Sequence, residues 1–296
     1  MEYALGIDLG GSSIKTVAVT RAGQTVTTAN HSFNPDAKME WAAEIRALVS
    51  RMADEQKSPP IRIGISAPGL AAKDQRTIAC MPGRLSGLAG LNWTEFLGHK
   101  DPIPVINDAH AALLGESWLG AARSFQNVFM LTLGTGVGGA ALVDGRLLTG
   151  HIGRGGHLGH ICLDPQGPPD VTGMPGSLED AIGNWTIDTR GGGRFATTHE
   201  LVAAYESGDQ GAASIWLESV RKLACGIASL INVLDPEAVI IGGGIARSGK
   251  ALFEPLQKEI DRIEWRPLGT GAKVLPAQLG ELAGAYGAAV NALGRR

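Results

Sequence analysis

Short apolar runs that end in polar, glycine-bearing turns recur along this chain. Residues 4–7 form one such run and predict a buried strand. Asp8-Leu9-Gly10-Gly11-Ser12-Ser13 follows, and residues 14–19 alternate with the period of two of a second strand. Gly23 turns the chain again. The unit returns at residues 128–131, with Thr132-Leu133-Gly134-Thr135-Gly136-Val137-Gly138-Gly139 as the turn, residues 140–143 as the return strand and Asp144-Gly145 as a tight hairpin. Aligning the copies sets Asp8 over Thr132 and Gly10 over Gly134, which predicts an internal duplication with one hairpin in each half.

Between the hairpins the period changes. Trp41, Ile45, Leu48, Val49 and Met52 share one face of a helix over residues 36–56, and a strand at 61–65 runs into Ser66-Ala67-Pro68-Gly69. A strand at 105–106 leads into Asn107-Asp108 and a helix over 109–119. Leu217, Val220, Ala224, Ile227, Ile231 and Leu234 mark a long amphipathic helix closed by Asp235-Pro236. A strand at 238–241 then ends in Gly242-Gly243-Gly244, with helices expected over 250–260 and 282–293. Strands alternating with helices give an α/β class.

The 296 residues are enough for two domains. Glycine fills 42 positions, twice the usual share of about 7%. No Gly-X-Y repeat or long polar tract accompanies it and 44% of the residues are apolar, so collagen-like and disordered classes are excluded. The formal charge is −3 without any Lys/Arg run, which removes the footprint of a nucleic-acid or membrane-surface binder and points to small neutral or phosphorylated partners. The apolar stretch 128–143 falls short of the roughly 20 residues of a membrane-spanning helix. Met1-Glu2 enters the first apolar run without a basic segment, and Cys80, Cys162 and Cys225 form no CxxC pair. No secretion signal is expected, and the cytoplasm is the expected compartment.

Neither hairpin is a nucleotide loop of the strand-to-helix kind, because GxxxxGK[ST] and GxGxxG both feed a helix whereas these glycines feed a strand. Two turns of small residues instead let backbone N–H groups and hydroxyls approach an anion such as a triphosphate. Asn107 and Asp108 sit at a strand end, the usual place for ligand chemistry in an α/β sheet, although Asn-Asp before a helix is also an ordinary N-cap. Gly242-Gly243-Gly244 serves close packing as often as binding.

Taken in order, LGIDLGGSSIK, ISAPGL, VINDAHAALLGE, LTLGTGVGGA, GHLGHI, GSLE and IIGGGIA resemble, nearly end to end, the ROK family of sugar kinases. These are bacterial glucokinase-like enzymes of the actin-like ATPase superfamily. The resemblance implies an α/β fold of two ribonuclease-H-like domains with a ligand cleft between them. Residues 1–108 with 283–296 would form the smaller domain and 109–282 the larger. It implies ATP and Mg²⁺ as cofactors. The phosphates would lie at Asp8, Gly10, Gly11, Ser12 and Lys15 on the first hairpin and at Thr132, Gly134, Thr135 and Gly136 on the second, with adenosine near Gly243 and Gly244. Asp8 would orient the magnesium shell, since Mg²⁺ prefers oxygen ligands and keeps its waters. Asp108 matches the base that accepts a hexose hydroxyl proton as the γ-phosphoryl group transfers. Asn107, Gly69, His157, His160 and Glu179 match substrate-binding positions. A homodimer is implied, with a sugar and ATP as partners. Alternatives are a kinase of an N-acetylated amino sugar or fructose, a polyphosphate-using kinase, and a sugar-sensing protein without catalysis. A repressor of the family would need a helix-turn-helix domain before Ala4, where no room is expected.

The chain departs from the family's pattern in two places. Members usually carry Gly-Glu-Leu-Gly-His and three cysteines that, with the histidine, hold a structural zinc. Here the segment reads Gly156-His157-Leu158-Gly159-His160, and Asp170, Thr172 and Ser177 stand at the cysteine positions, with Glu179 retained. Zinc in closed structural sites favours Cys and His, so no structural zinc is expected, and Cys162 lies outside the cysteine positions. A metal site built from His151, His157, His160 and Cys162 is the less favoured reading. His157 replaces a carboxylate that only accepts hydrogen bonds with an imidazole that both donates and accepts, so the substrate need not be glucose.

Overall fold

The computed structural model describes residues 2–81, 83 and 85–294. The first stretch holds β1 (Ala4–Leu9), β2 (Ser13–Val19), β3 (Thr25–Ser32), α1 (Glu40–Glu55), β4 (Arg62–Ala67), β5 (Leu70–Ala71), β6 (Ile78–Cys80), α2 (Trp93–Leu97), β7 (Val105–Asn107) and α3 (Asp108–Leu119). Next come β8 (Val128–Leu133), β9 (Val137–Val143), β10 (Arg146–Leu147), α4 (Leu178–Ile182), α5 (Ile187–Gly191), α6 (Thr198–Glu206) and α7 (Gln210–Leu234). The chain closes with β11 (Ala238–Gly242), α8 (Lys250–Ile263), β12 (Lys273–Pro276) and α9 (Ala283–Ala292).

The chain divides into two compact units, one of residues Met1–Ser124, Gly145–Gly156 and Gln278–Arg296, the other of Phe125–Asp144 and His157–Ala277. The first unit runs on past the boundary expected at 108. Its reason is α3, whose Gly115 and Ala111 lie against the backbone of α9 at Ala283 and Gly287.

In the first unit the sheet order is β3-β2-β1-β4-β7. β1 pairs antiparallel with β2 and parallel with β4, and β4 pairs parallel with β7. Leu5, Ile7, Leu9, Ile63, Ile65 and Val105 are buried against Trp41, Ile45, Leu48 and Met52 of α1. Along the sheet α9 lies so close that a Cβ at Gly6 would collide with the Ala285 carbonyl oxygen. Gly6→Ala therefore overpacks the core, a change that costs about 1–3 kcal/mol in well-packed interiors. Thermal unfolding should show the corresponding drop in melting temperature; an unchanged Tm would contradict this packing.

The second unit repeats the arrangement. β8 pairs antiparallel with β9 and parallel with β11, and β11 pairs parallel with β12. The strands β9-β8-β11-β12 thus match β2-β1-β4-β7 in order and direction, which is the internal duplication expected from the two hairpins. α7, over 25 residues, buries Trp216, Val220, Leu223, Ala224 and Ile227.

Element limits moved for local reasons. The helix expected from 36 begins at Glu40, because Met39 adopts a left-handed conformation, φ 58°. β3 carries no apolar period because Thr25–Ser32 reads TVTTANHS and its positions alternate between half-buried and exposed.

Candidate active site

Parallel pairing of β1, β4 and β7 brings their carboxyl ends together: Asp8 is level with Ser66, and Ala67 with Asn107. Ligand chemistry in open α/β sheets concentrates at such ends. The Ser66 hydroxyl, on a wholly buried side chain, donates to Asp8 Oδ1 at 2.6 Å. Ser66 is the residue the sequence reading missed. Its signal was its place at the end of β4, one residue before Ala67-Pro68-Gly69.

Asp108 begins α3, where its Oδ1 accepts the Ala109 N–H at 2.9 Å. Asn107 is the N-cap: its Oδ1 accepts from the N–H groups of Ala109 (3.0 Å) and His110 (3.2 Å), and its Nδ2 donates to the Gly69 carbonyl at 3.0 Å. Both ends of the Asn107 amide, and the Gly69 carbonyl, are thus bonded within the protein and fix the loop that presents Asp108. Asp108 is open to solvent on one side and hemmed in by protein on the others. Desolvation and then the nearby charge of Asp8 push its pKa up to about 6, against hydrogen bonds from Ala109 and Asn107. Burial likewise raises the pKa of Asp8, opposed by the Ser66 hydroxyl and the Lys15 charge. Lys15 stands opposite Asp8 in the β1–β2 register.

The Gly10 N–H closes the first hairpin on the Ser13 carbonyl at 2.9 Å and leaves Gly11 and Ser12 exposed at its tip. The Asp8 charge raises the pKa of Asp108, a surplus of negative charge at one sheet edge that a divalent cation relieves, so this hard-oxygen set fits Mg²⁺.

In the second unit the hairpin tip is Gly134-Thr135-Gly136, closed by Gly134 N–H to Gly136 O at 2.9 Å. The carbonyls of Gly134 and Thr135 accept from the N–H groups of Asn184 and Trp185 at 2.9 and 2.8 Å. Thr132 is level with Gly138 at the foot of the turn. Glu179, in the first turn of α4, lies over Gly136 and accepts the Val137 N–H at 2.9 Å. The tight turn Leu158–His160 packs on β9 and needs Gly159, where a Cβ would collide with the Val137 carbonyl. Desolvation lowers the pKa of His157, and a protonated His160 beside it would lower it further, so the neutral ring is favoured. Gly243, φ 88°, crosses against the backbone of Leu133, and Gly244 starts the short turn Ile245–Ser248 in open space.

The metal-capable groups are not those of a thiolate zinc site. Cys80, Cys162 and Cys225 are free and exposed. Among the described residues the potential ligands that come together are His160, Asp170 and Glu179, one donor atom of each within 4.8 Å of the others. The hydroxyls of Thr172 and Ser177 bond to the Asp170 carboxylate. Oxygen donors already bonded to one another do not fit structural zinc. Among the described residues no helix is long and apolar enough to cross a membrane.

The profile of the ROK family matches residues 4–295. The chain belongs to the ROK family. A glucokinase from Thermotoga maritima is 32% identical over 96% of this chain and 95% of its own length. Among solved structures, the ROK hexokinase from Thermus thermophilus superposes with a TM-score of 0.85 at 29% identity, covering 98% of both chains. A ROK family glucokinase from Streptomyces griseus, in complex with glucose and AMPPNP, gives a TM-score of 0.80 at 27% identity over 99% of each chain. The fold of this ROK protein is that of the actin-like ATPases.

Proposed function

We propose that the protein transfers the γ-phosphoryl group of ATP to a hydroxyl of a hexose, with Asp108 as general base. Kinship with proteins named glucokinase and hexokinase makes it a sugar kinase. The observation that carries the reading is the Asp108 carboxylate. It stands accessible at the end of β7, held at its backbone by the Asn107 cap and brought to a pKa of about 6 by desolvation and Asp8. A base of that pKa is ionised at pH 7 and still takes up a proton readily, which suits removal of a sugar hydroxyl proton.

Phosphoryl transfer asks for little covalent chemistry beyond that proton; positioning and charge stabilisation supply the rest. In this reading Gly10, Gly11, Ser12 and Lys15, together with Thr132, Gly134, Thr135 and Gly136, hold the phosphates, while Gly243 and Gly244 approach the adenosine. Magnesium, when bound, neutralises phosphate charge, and Asp8 would hold it through its waters. His157, His160 and Glu179 read the sugar hydroxyls, and Asn107 with Gly69 positions Asp108. The free, exposed thiols suit a reducing compartment, so the proposed setting is the cytoplasm.

His157 gives a specific reason to look beyond glucose, because a site whose hydrogen-bonding pattern has changed discriminates steeply among hydroxyl patterns. ADP release should be measured across hexoses, N-acetylated amino sugars, fructose and polyols, with ATP and with polyphosphate as donors. The expected result is ATP-dependent turnover on one sugar well above the rest. Turnover on none, or with polyphosphate alone, would contradict the reading.

A further inference from the structure

The loop from His160 to Ser177 is organised around one carboxylate. The Asp170 side chain is wholly shielded from solvent and accepts from His160 Nδ1 at 2.8 Å, Thr172 N–H at 2.8 Å, Thr172 Oγ1 at 2.7 Å and Met174 N–H at 3.1 Å. The Ser177 hydroxyl joins the same carboxylate. Backbone bonds close the loop around it: Asp170 N–H to Met174 O at 2.9 Å, Gly176 N–H to Pro168 O at 2.8 Å and Leu163 N–H to Gly176 O at 2.8 Å. Burial alone would raise the Asp170 pKa, but the hydrogen bonds from Thr172, His160 and Ser177 outweigh it and hold the group far below the ordinary carboxylate range. It is an anion at any working pH, and the donors converge on it.

We infer that Asp170 replaces a loop-organising metal ion and in doing so fixes His160 as a hydrogen-bond acceptor toward the sugar. A structural metal is a cation that gathers the lone pairs of a loop; here an anion gathers N–H and O–H groups at the positions where the family's metal-binding cysteines would stand. The inversion has a consequence at the imidazole. A metal at the place of Asp170 would take the lone pair of Nδ1 and leave the ring proton on Nε2. Asp170 only accepts, so Nδ1 must carry the proton and Nε2 of the neutral ring keeps its lone pair. The His160 side chain is a quarter exposed, 24%, and it shares its surroundings with Glu179. His160 Nε2 therefore accepts a hydroxyl proton where a metal-bound imidazole would donate one. At the second position of the expected motif, three residues before His160, His157 replaces an acceptor-only carboxylate with a group that also donates. The two departures are complementary: one position gains an acceptor and the other gains a donor, so the same sugar hydroxyls are read with reversed hydrogen-bond direction. The part concerning the sugar rests on the kinase reading; the part concerning the loop and the tautomer does not.

Two measurements on the full-length protein test this. In ¹⁵N-histidine NMR, with the His160 signal assigned by its loss in His160→Gln, Nδ1 should be protonated and Nε2 unprotonated at pH 7.5, and protein purified without a His-tag should hold no stoichiometric zinc. In Asp170→Ala the proton should move to Nε2 and the KM for sugar should rise by about tenfold or more, the usual effect of removing the partner that orients a histidine, while the KM for ATP stays unchanged. Asp170→Asn retains the shape of the side chain and covers the case in which the alanine variant does not fold; it should raise the sugar KM in the same sense. Stoichiometric zinc, a wild-type ring protonated on Nε2, or an unchanged sugar KM in the variants would each overturn the inference. The tautomer and the metal content are read without turnover, so a protein inactive on every sugar would sink the kinase reading and leave this assignment standing on its own result.

Discussion

Asp108→Asn should lower kcat by about 10²–10⁴, the range that a positioned general base supplies, while ATP binding by calorimetry stays as in the wild type. The substitution is clean for structural reasons. An amide oxygen can still accept the Ala109 N–H that Asp108 Oδ1 accepts at 2.9 Å, and the cap of α3 comes from Asn107, which is untouched. The change removes only the ability to take a proton and the charge repelled by Asp8. Loss of that repulsion means that the variant should be at least as stable as the wild type at pH 7. Turnover close to wild type would remove Asp108 from the mechanism, and lost turnover together with a lowered Tm would point to a structural cause instead.

The second large effect is on the pH profile. Desolvation and Asp8 raise the Asp108 pKa to about 6, so kcat/KM should fall below that pH and approach tenfold per unit as the base protonates. Stability runs the other way. Because the folded-state pKa lies above that of the unfolded chain, the folded state binds the extra proton between roughly pH 4 and 6, and this group's contribution to stability declines as pH rises through that window. Activity rising with pH while this contribution falls is the signature of a base held in an unfavourable setting. An acid limb near pH 4 would mean that the carboxylate is not perturbed and that the crowding with Asp8 has no effect on it.

Much of this arrangement is legible in the chain itself. The two hairpins stand out because their strands are apolar and their turns are not, and the repeat of that pattern matches the strand order found in both units. Asp108 is visible as an acid between a strand and a helix. Other features depend on partners that sequence does not place. Ser66 meets Asp8, 58 positions away in the chain, only because β1 and β4 run parallel and in register. Asn107 matches a substrate-binding position by resemblance, with an N-cap as the other reading, and its hydrogen bonds within the protein are those of a cap. The role of Asp170 could not be read from its spacing, since only the fold of the 160–177 loop turns Thr172, Ser177 and His160 toward one carboxylate. Part of the glycine excess is likewise tertiary: Gly6, Gly64, Gly115 and Gly287 are needed where α9 lies against β1, β4 and α3.

The most direct test of the central claim is ³¹P NMR of the protein with ATP, Mg²⁺ and a mixed pool of hexoses and N-acetylated amino sugars. The account predicts a sugar phosphate monoester resonance that grows in step with ADP and is missing with Asp108→Asn. ADP formed with inorganic phosphate only, or sugar binding with no phosphoester at any pH above 6, would contradict it.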